Sequence, residues 1–344
     1  MTRTERITHM ITALLPWYES CGRSLPWRED PTPYHVWVSE IMLQQTRIET
    51  VIPYYRRFLR EIPDIRSLAE AEPERLQKLW EGLGYYSRVR NLQKAAQQIV
   101  ERFGGSFPDT YADIRSLCGI GDYTAGAIAS ICFDLPVPAV DGNVLRVLSR
   151  ITADARTIDA EQTKKAVRAE LAAAYPAKNA GMLTQAIMEL GETVCLPNGV
   201  PGCAHCPCRE FCAGADGGWE RFPVKAEKKA RRIEELTVFV LRCSGFTAIC
   251  KRPEKGLLAG LWELPNCSGH LTEEDVLRQA AAWDCQPLSV TDGKNAIHVF
   301  THVEWHMRCY AVDCGAMPSG FTWADDDQMQ HSVSLPTAFR KLLY

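Results

Sequence analysis

The stretch Leu117–Arg150, LCGIGDYTAGAIASICFDLPVPAVDGNVLRVLSR, constrains this chain most. Cys118–Gly119–Ile120–Gly121 is a tight glycine-bearing turn between two apolar-periodic segments. Two glycines one residue apart permit positive φ and let the backbone approach a ligand closely. Asp122 opens the next segment, which Thr124, Ala125, Gly126 and Ala127 keep thin. Uncovered amides at such a helix start suit a phosphate. About twenty residues on, Asp141 stands just before another helical segment, Val144–Ile151. The turn alone reads equally well as an αα-hairpin with glycine caps and an aspartate N-cap. The turn followed by that carboxylate is a more specific combination.

The length, 344 residues with 46% hydrophobic content, allows two domains, each with its own core. Net charge is −3, so a nucleic-acid site must be a local basic surface on a near-neutral protein. No apolar run approaches the ~20 residues of a membrane span. The N-terminus mixes charges with periodic Ile7, Met10, Ile11, Leu14 and Leu15, which predicts an amphipathic helix over 5–20 rather than a signal peptide. Fourteen cysteines in a chain with a large core point to metal ligation by the clustered ones more than to a secreted disulfide scaffold.

A helix is expected over His35–Thr46. Glu40 sits in its middle among Trp37, Val38, Ile41 and Met42. A carboxyl buried there has a raised pKa, as a general acid working near neutral pH requires; an exposed helical Glu is the alternative. Gly82–Leu83–Gly84–Tyr85–Tyr86 makes a turn with two aromatics before Arg88, Arg90 and Lys94. It reads as a DNA-backbone contact or as a packed corner with a solvated basic face. Cys195, Cys203, Cys206 and Cys212 form C-x7-C-x2-C-x5-C, with a fifth thiol, Cys208, inside the run. Four thiolates in a short loop-rich segment can wrap one tetrahedral metal or a cuboidal cluster.

The pattern then changes. Gly214–Gly218 is a small-residue run, and Lys225–Glu235, with Lys225, Lys228, Lys229, Arg231 and Arg232, is a charged linker or a phosphate-contacting strap. Leu236–Cys243 and Thr247–Lys251 read as strands, Glu273–Asp284 as a helix, and Ile297–Val303 and Trp305–Val312 as paired strands. The expected division is a helical domain over 1–224 with a metal loop at 195–212, a linker over 225–235, and a smaller α/β (α+β) domain over 236–344.

The hairpin with its trailing Asp141 resembles the helix-hairpin-helix DNA glycosylase superfamily that includes endonuclease III. VWVSEIMLQQTRIETVIPYY and EGLGYYSRVR, together with the whole hairpin-to-Asp stretch, are similar to the adenine DNA glycosylases of the MutY family, with a match that weakens but runs from about Leu14 to the C-terminus. The resemblance implies a base-excision-repair hydrolase that removes adenine mispaired with 8-oxoguanine, and more weakly with guanine. Glu40 then protonates the departing adenine and Asp141 stabilises the sugar cation. Leu43, Gln44 and Gln45 fill or probe the gap in the duplex. Trp27, Arg28, Tyr123, Asn143 and Gln185 line the base pocket or the carboxylates, Tyr85 belongs to the substrate contacts, and Gly119 and Gly121 meet the DNA backbone. Adenine leaves readily only after protonation, and cleavage puts positive charge on C1′ and O4′. One neutral and one ionised carboxyl are therefore needed, around a base taken out of the stack.

Bifunctional relatives carry a lysine two residues beyond the second hairpin glycine. Here Tyr123 stands there and cannot form a Schiff base, so hydrolysis without strong strand cleavage is expected. The family pattern C-x6-C-x2-C-x5-C holds a [4Fe–4S] cluster. The first gap is one residue longer in this chain, within the flexible Leu196–Gly202, and zinc is the rival occupant. The C-terminal unit resembles the family's Nudix-like domain, in which a Phe-Ser-His turn probes the lesion base. Here the turn is Phe300–Thr301–His302. Ala280–Val290 lacks the glutamate order of a hydrolytic Nudix helix, so no nucleotide hydrolysis is expected. The resemblance further implies a monomer acting on double-stranded DNA with A·8-oxoG or A·G pairs, cytoplasmic and nucleoid-associated in a bacterium. Two other readings stand beside it: a thymine- or uracil-mismatch glycosylase on the same fold, and a non-catalytic iron–sulfur DNA-binding module.

Overall fold

The computed structural model describes every residue except Asp216, Lys228, Lys229 and Tyr344, so two linker lysines singled out above lie outside the described residues. The chain divides into two compact units. One comprises residues 1–70 and 90–227; the other comprises 71–89 and 228–344.

In chain order the helices of the first three-fifths are α1 (Arg3–Cys21), α2 (Pro26–Glu29), α3 (Pro33–Leu43), α4 (Ile48–Glu61), α5 (Ile65–Glu70), α6 (Pro73–Leu79), α7 (Ser87–Phe103), α8 (Tyr111–Ser116), α9 (Asp122–Phe133), α10 (Gly142–Thr152), α11 (Glu161–Ala174) and α12 (Ala180–Thr193). The apolar stripe of α1 is buried as expected, with Ile7, Met10 and Leu14 packed against Val144, Val147 and Leu148 of α10 and Leu183, Ile187 and Leu190 of α12 in one core. Thin glycine-bearing faces set the spacing. A Cβ on Gly181 of α12 would stand 2.6 Å from the Ser130 carbonyl of α9. α3 stops at Leu43, and Gln45 takes φ +58°, a left-handed conformation that strains a non-glycine residue.

The second unit is built on a mixed sheet. β1 (Arg232–Cys243) and β7 (Val303–Cys314) pair in parallel at its centre. β2 (Phe246–Lys251), β3 (Trp262–Glu263), β4 (Asn266–Ser268), β5 (Pro287–Asp292), β6 (Ala296–Val299) and β8 (Thr322–Ala324) extend it by antiparallel pairing. α13 (Glu273–Ala282) covers one face, and α14 (Asp326–His331) and α15 (Thr337–Arg340) complete the unit. Two expectations shift. β1 begins at Arg232, inside the charged run, because Arg232 already pairs with Val303. The strand expected over Ile297–Val303 ends at Val299, and the chain turns at Phe300–Thr301–His302 as the motif places it, because Phe300 N–H donates to the Val303 carbonyl and closes the hairpin there (2.8 Å).

Residues 71–89 are held within this unit. The Gln77 carbonyl accepts from Ser334 Oγ (3.2 Å), Lys78 Nζ donates to the Val333 carbonyl (2.9 Å), and Glu81 Oε1 accepts from the Leu335 amide (3.0 Å) and from Arg340. No described helix is long and apolar enough to cross a membrane.

Candidate active site

The first unit contains a cleft of about 870 Å³. It is lined by Trp27 and Arg28 from α2, Glu40 and Leu43 from α3, Gln44 and Gln45 after it, Gly119 and Gly121 from the hairpin, Tyr123 from α9, Asp141 and Asn143 at the start of α10, and Gln185 and Glu192 from α12. Residues predicted from distant parts of the sequence therefore meet around one hollow.

Glu40 is buried at 6% exposure in α3, a helix whose residues 36–42 are all buried. Burial pushes its carboxyl up to about 7, and the Asp141 charge adds to this, while the Tyr123 hydrogen bond and Arg28 act in the opposite direction. Tyr123 Oη donates to Glu40 Oε2 at 2.7 Å. Burial holds the Tyr123 phenol far above its ordinary range, so it remains a donor.

Asp141 caps α10: its Oδ1 accepts from the Val144 amide at 2.8 Å, and its Oδ2 accepts from Asn143 Nδ2 at 3.1 Å. The expected N-cap is thus Asp141, which also lines the cleft. Burial raises this carboxyl, against the Val144 amide and Arg146, which favour its charged form. Asn143 Oδ1 accepts from Arg146 Nη2 at 2.9 Å, and Arg146 also holds the Gly191 and Cys195 carbonyls (2.8 and 2.9 Å).

Trp27 stacks edge-on against Tyr55, ring centroids 5.4 Å apart. Arg28 pairs with Glu189 at 2.9 Å and Arg23 pairs with it at 2.5 Å; Glu189 is 1% exposed in its side chain. Burial opposes the Glu189 charge, but the two arginines hold its carboxyl below the usual range. Gln185 Oε1 accepts from Tyr18 Oη at 3.1 Å. Sequence reasoning missed Arg23, Glu189, Glu192 and Arg146. Glu189 lies four residues after Gln185 in an otherwise apolar run, and that spacing puts both on one helix face; it was the available signal.

The hairpin glycines differ from expectation in one respect. Gly119 has φ +74°, and a Cβ there would stand 2.6 Å from Asn91 Cβ. Gly121 is the N-cap of α9 at φ −86°, so it needs no left-handed freedom, and its open side has nothing within 4 Å.

Tyr85 is not among the cleft residues. It belongs to the second unit, 47% exposed at φ +47°, and its Oη is 3.0 Å from Thr301 Oγ1. Phe300 packs edge-on against Trp305 and His298, Thr301 and His302 are exposed, and the Phe300 and His302 carbonyls accept from Arg231 Nε and the Arg232 amide (3.1 and 3.2 Å). The turn is thus braced from beneath with its tip open.

Cys195, Cys203, Cys206 and Cys212 share a second, small apolar hollow with Val147, Arg150 and Trp219. Arg150 Nη1 donates to Cys195 Sγ at 3.3 Å. Cys208 is fully buried but does not line the hollow. All five are free thiols, and among the described residues no three metal-ligating side chains stand at metal-holding spacing. Four thiols facing one hollow, with a guanidinium beside one of them, is a donor set that fits a thiolate-bound cluster.

Residues 38–175 match the HhH-GPD superfamily of base excision DNA repair proteins, and residues 237–344 match the NUDIX domain. The chain is 34% identical to the adenine DNA glycosylase of Mus musculus, over 97% of this chain and 78% of that protein. It is 38% identical to the adenine DNA glycosylase of Buchnera aphidicola subsp. Acyrthosiphon pisum, over 96% of this chain and 95% of that protein.

The chain belongs to the adenine DNA glycosylase family.

It is a base-excision-repair enzyme, a hydrolase of N-glycosyl bonds. Two solved structures share the helical fold of this glycosylase. A thermostable thymine-DNA glycosylase is 21% identical, with TM-score 0.56 over 63% of this chain and 98% of that one. An endonuclease III–DNA complex is 21% identical, with TM-score 0.55 over 64% and 99%.

Proposed function

We propose that this adenine DNA glycosylase removes adenine opposite 8-oxoguanine, and more weakly opposite guanine, with Glu40 as general acid and Asp141 as the anion beside the sugar. The observation that carries the reading is one cleft lined by both carboxyls, of which Glu40 is held near pKa 7 by burial. Glu40, protonated, gives its proton to a ring nitrogen of the extruded adenine. The C1′–N bond then breaks, its electron pair leaves with the base, and the charge on C1′ and O4′ forms beside Asp141. Water completes the hydrolysis. Trp27, Arg28 and Gln185 would hold the base, and Leu43, Gln44 and Gln45 the gap it leaves. Tyr123 donates to Glu40 and has no amine, which supports cleavage without a Schiff base.

The 8-oxoguanine preference rests on the braced turn Phe300–Thr301–His302 and on the Tyr85 hydroxyl beside Thr301. Thr301 keeps a hydroxyl and adds a methyl, which tightens the fit to a lesion base. Cys195, Cys203, Cys206 and Cys212 would hold a [4Fe–4S] cluster. With all four thiolates committed it would supply a structural and DNA-docking element.

The test is alkali cleavage after single-turnover reaction on duplexes with single A·8-oxoG, A·G, T·G and U·G pairs. Product is expected from the first two, faster from the first. Product only from T·G and U·G would replace the substrate, and none from any pair would leave a binding module. Borohydride trapping is expected to give little covalent product compared with a lysine-bearing enzyme.

A further inference from the structure

Glu192 is the penultimate residue of α12 and lines the cleft with Glu40 and Asp141. A carboxylate in the last turn of a helix opposes the partial negative charge of that terminus, a cost of about 0.3–1 kcal/mol. The last turn of α12 has no basic residue to offset it. Local helix stability therefore gives no reason for an acid here, and its contacts point to the site.

Glu192 Oε1 accepts from Asn143 Nδ2 at 3.0 Å. The same amide nitrogen donates to Asp141 Oδ2 at 3.1 Å, and Asn143 Oδ1 accepts from Arg146 Nη2 at 2.9 Å. An amide has two N–H donors and one carbonyl, and here both donors and the carbonyl are engaged. Flipping it would turn the carbonyl oxygen against two carboxylates and the NH2 against a guanidinium. Only one orientation satisfies all three neighbours.

We propose that Glu192 is a positioning residue for excision: its carboxylate completes the clamp on the Asn143 amide, and through Asn143 it holds Asp141 Oδ2 facing the sugar. The inference rests on the role given above to Asp141. In this role Glu192 neither touches the base nor takes a proton in the reaction.

The experiment compares full-length wild type, Glu192→Ala and Glu192→Gln in single-turnover excision from an A·8-oxoG duplex. Affinity is measured alongside for a duplex carrying 2′-fluoro-2′-deoxyadenosine in place of the adenosine. Glu192→Ala is expected to slow cleavage about fivefold, equivalent to about 1 kcal/mol, with affinity unchanged. Glu192→Gln keeps an oxygen acceptor at the same reach and is expected to recover most of the rate. Glu192→Gln should melt at or above the wild-type temperature, since it removes an unfavourable charge–dipole contact and keeps the acceptor, and Glu192→Ala should melt within a few degrees of wild type, since the same relief offsets one hydrogen bond lost on an exposed helix end, so a slow variant is not merely a poorly folded one. A Glu192→Ala rate within twofold of wild type, or a Glu192→Gln rate as low as that of Glu192→Ala, would overturn the proposal. A wild type that leaves adenine in place would instead sink the substrate reading, and the two failures are thereby distinguished.

Discussion

Glu40 is the residue at which fold and chemistry compete. Its carboxyl moves from an ordinary 4.5 to about 7 on burial. The folded state therefore holds the proton more tightly than the unfolded state, and stability falls as pH rises from about 4.5 to about 7. Glu40→Gln removes that penalty and keeps an oxygen to accept from Tyr123. It should melt higher than wild type at pH 7.5, with the advantage gone by pH 4.5, which differential scanning fluorimetry can follow. The same variant should retain duplex binding while losing about 10²- to 10⁴-fold in single-turnover excision, the usual worth of a general acid. In wild type the excision rate should decline as pH rises through about 7, because the acid must be protonated. Tyr123→Phe deletes a hydrogen bond that favours the ionised form of Glu40, so this decline should move to higher pH. A decline that stays in place would show that Tyr123 does not govern the acid. At this scale the sequence was informative where a polar residue interrupts an apolar pattern, as Glu40 does. It was silent on Glu192, an exposed acid near a helix end whose partner, Asn143, lies 49 residues away in the chain.

At the scale of elements, the hairpin and the cysteine loop carry the argument. Gly119 combines a left-handed φ with a Cβ direction that is blocked by Asn91. Gly119→Ala should cost about 2 kcal/mol and loosen duplex binding, whereas Gly121→Ala should leave stability nearly unchanged, since Gly121 is neither strained nor crowded. Thermal melts of the two variants check this. In the cysteine loop, Cys212→Ser should lower iron and sulfide content, and Cys208→Ser should retain both, because Cys208 stands outside the hollow that the other four share. Stoichiometric zinc without iron in the wild type would overturn the cluster assignment. The motif spacing revealed the hairpin because a tight turn needs glycine at a fixed offset. It could not separate Cys208 from the other four, because spacing counts residues along the chain while ligation depends on which side of a loop a thiol faces.

For the molecule as a whole, the discontinuous second unit changes which experiment isolates lesion recognition. Residues 71–89 donate to, and accept from, residues 333–340 through Gln77, Lys78 and Glu81. Truncation after Pro223 removes these partners, so the shortened chain should melt lower as well as discriminate less. His302→Ala in the full chain is the cleaner probe: it should narrow the rate ratio between A·8-oxoG and A·G while leaving the melting temperature within a few degrees. An unchanged ratio would remove His302 from lesion reading.

What the sequence determined by itself was local: helix periods, the glycine turn, the cap at Asp141, the cysteine run, and the switch to alternating strands after Leu236. These follow from backbone sterics and from repeats of a few residues, which neighbouring side chains enforce without the rest of the chain. Tertiary packing alone decided that Glu40, Tyr123, Asp141 and Glu192, spread over four helices, meet around one hollow, and that Tyr85 stands by Thr301. Such meetings come from burying apolar faces far apart in sequence, and a carboxyl acquires its proton affinity only from what that burial puts around it.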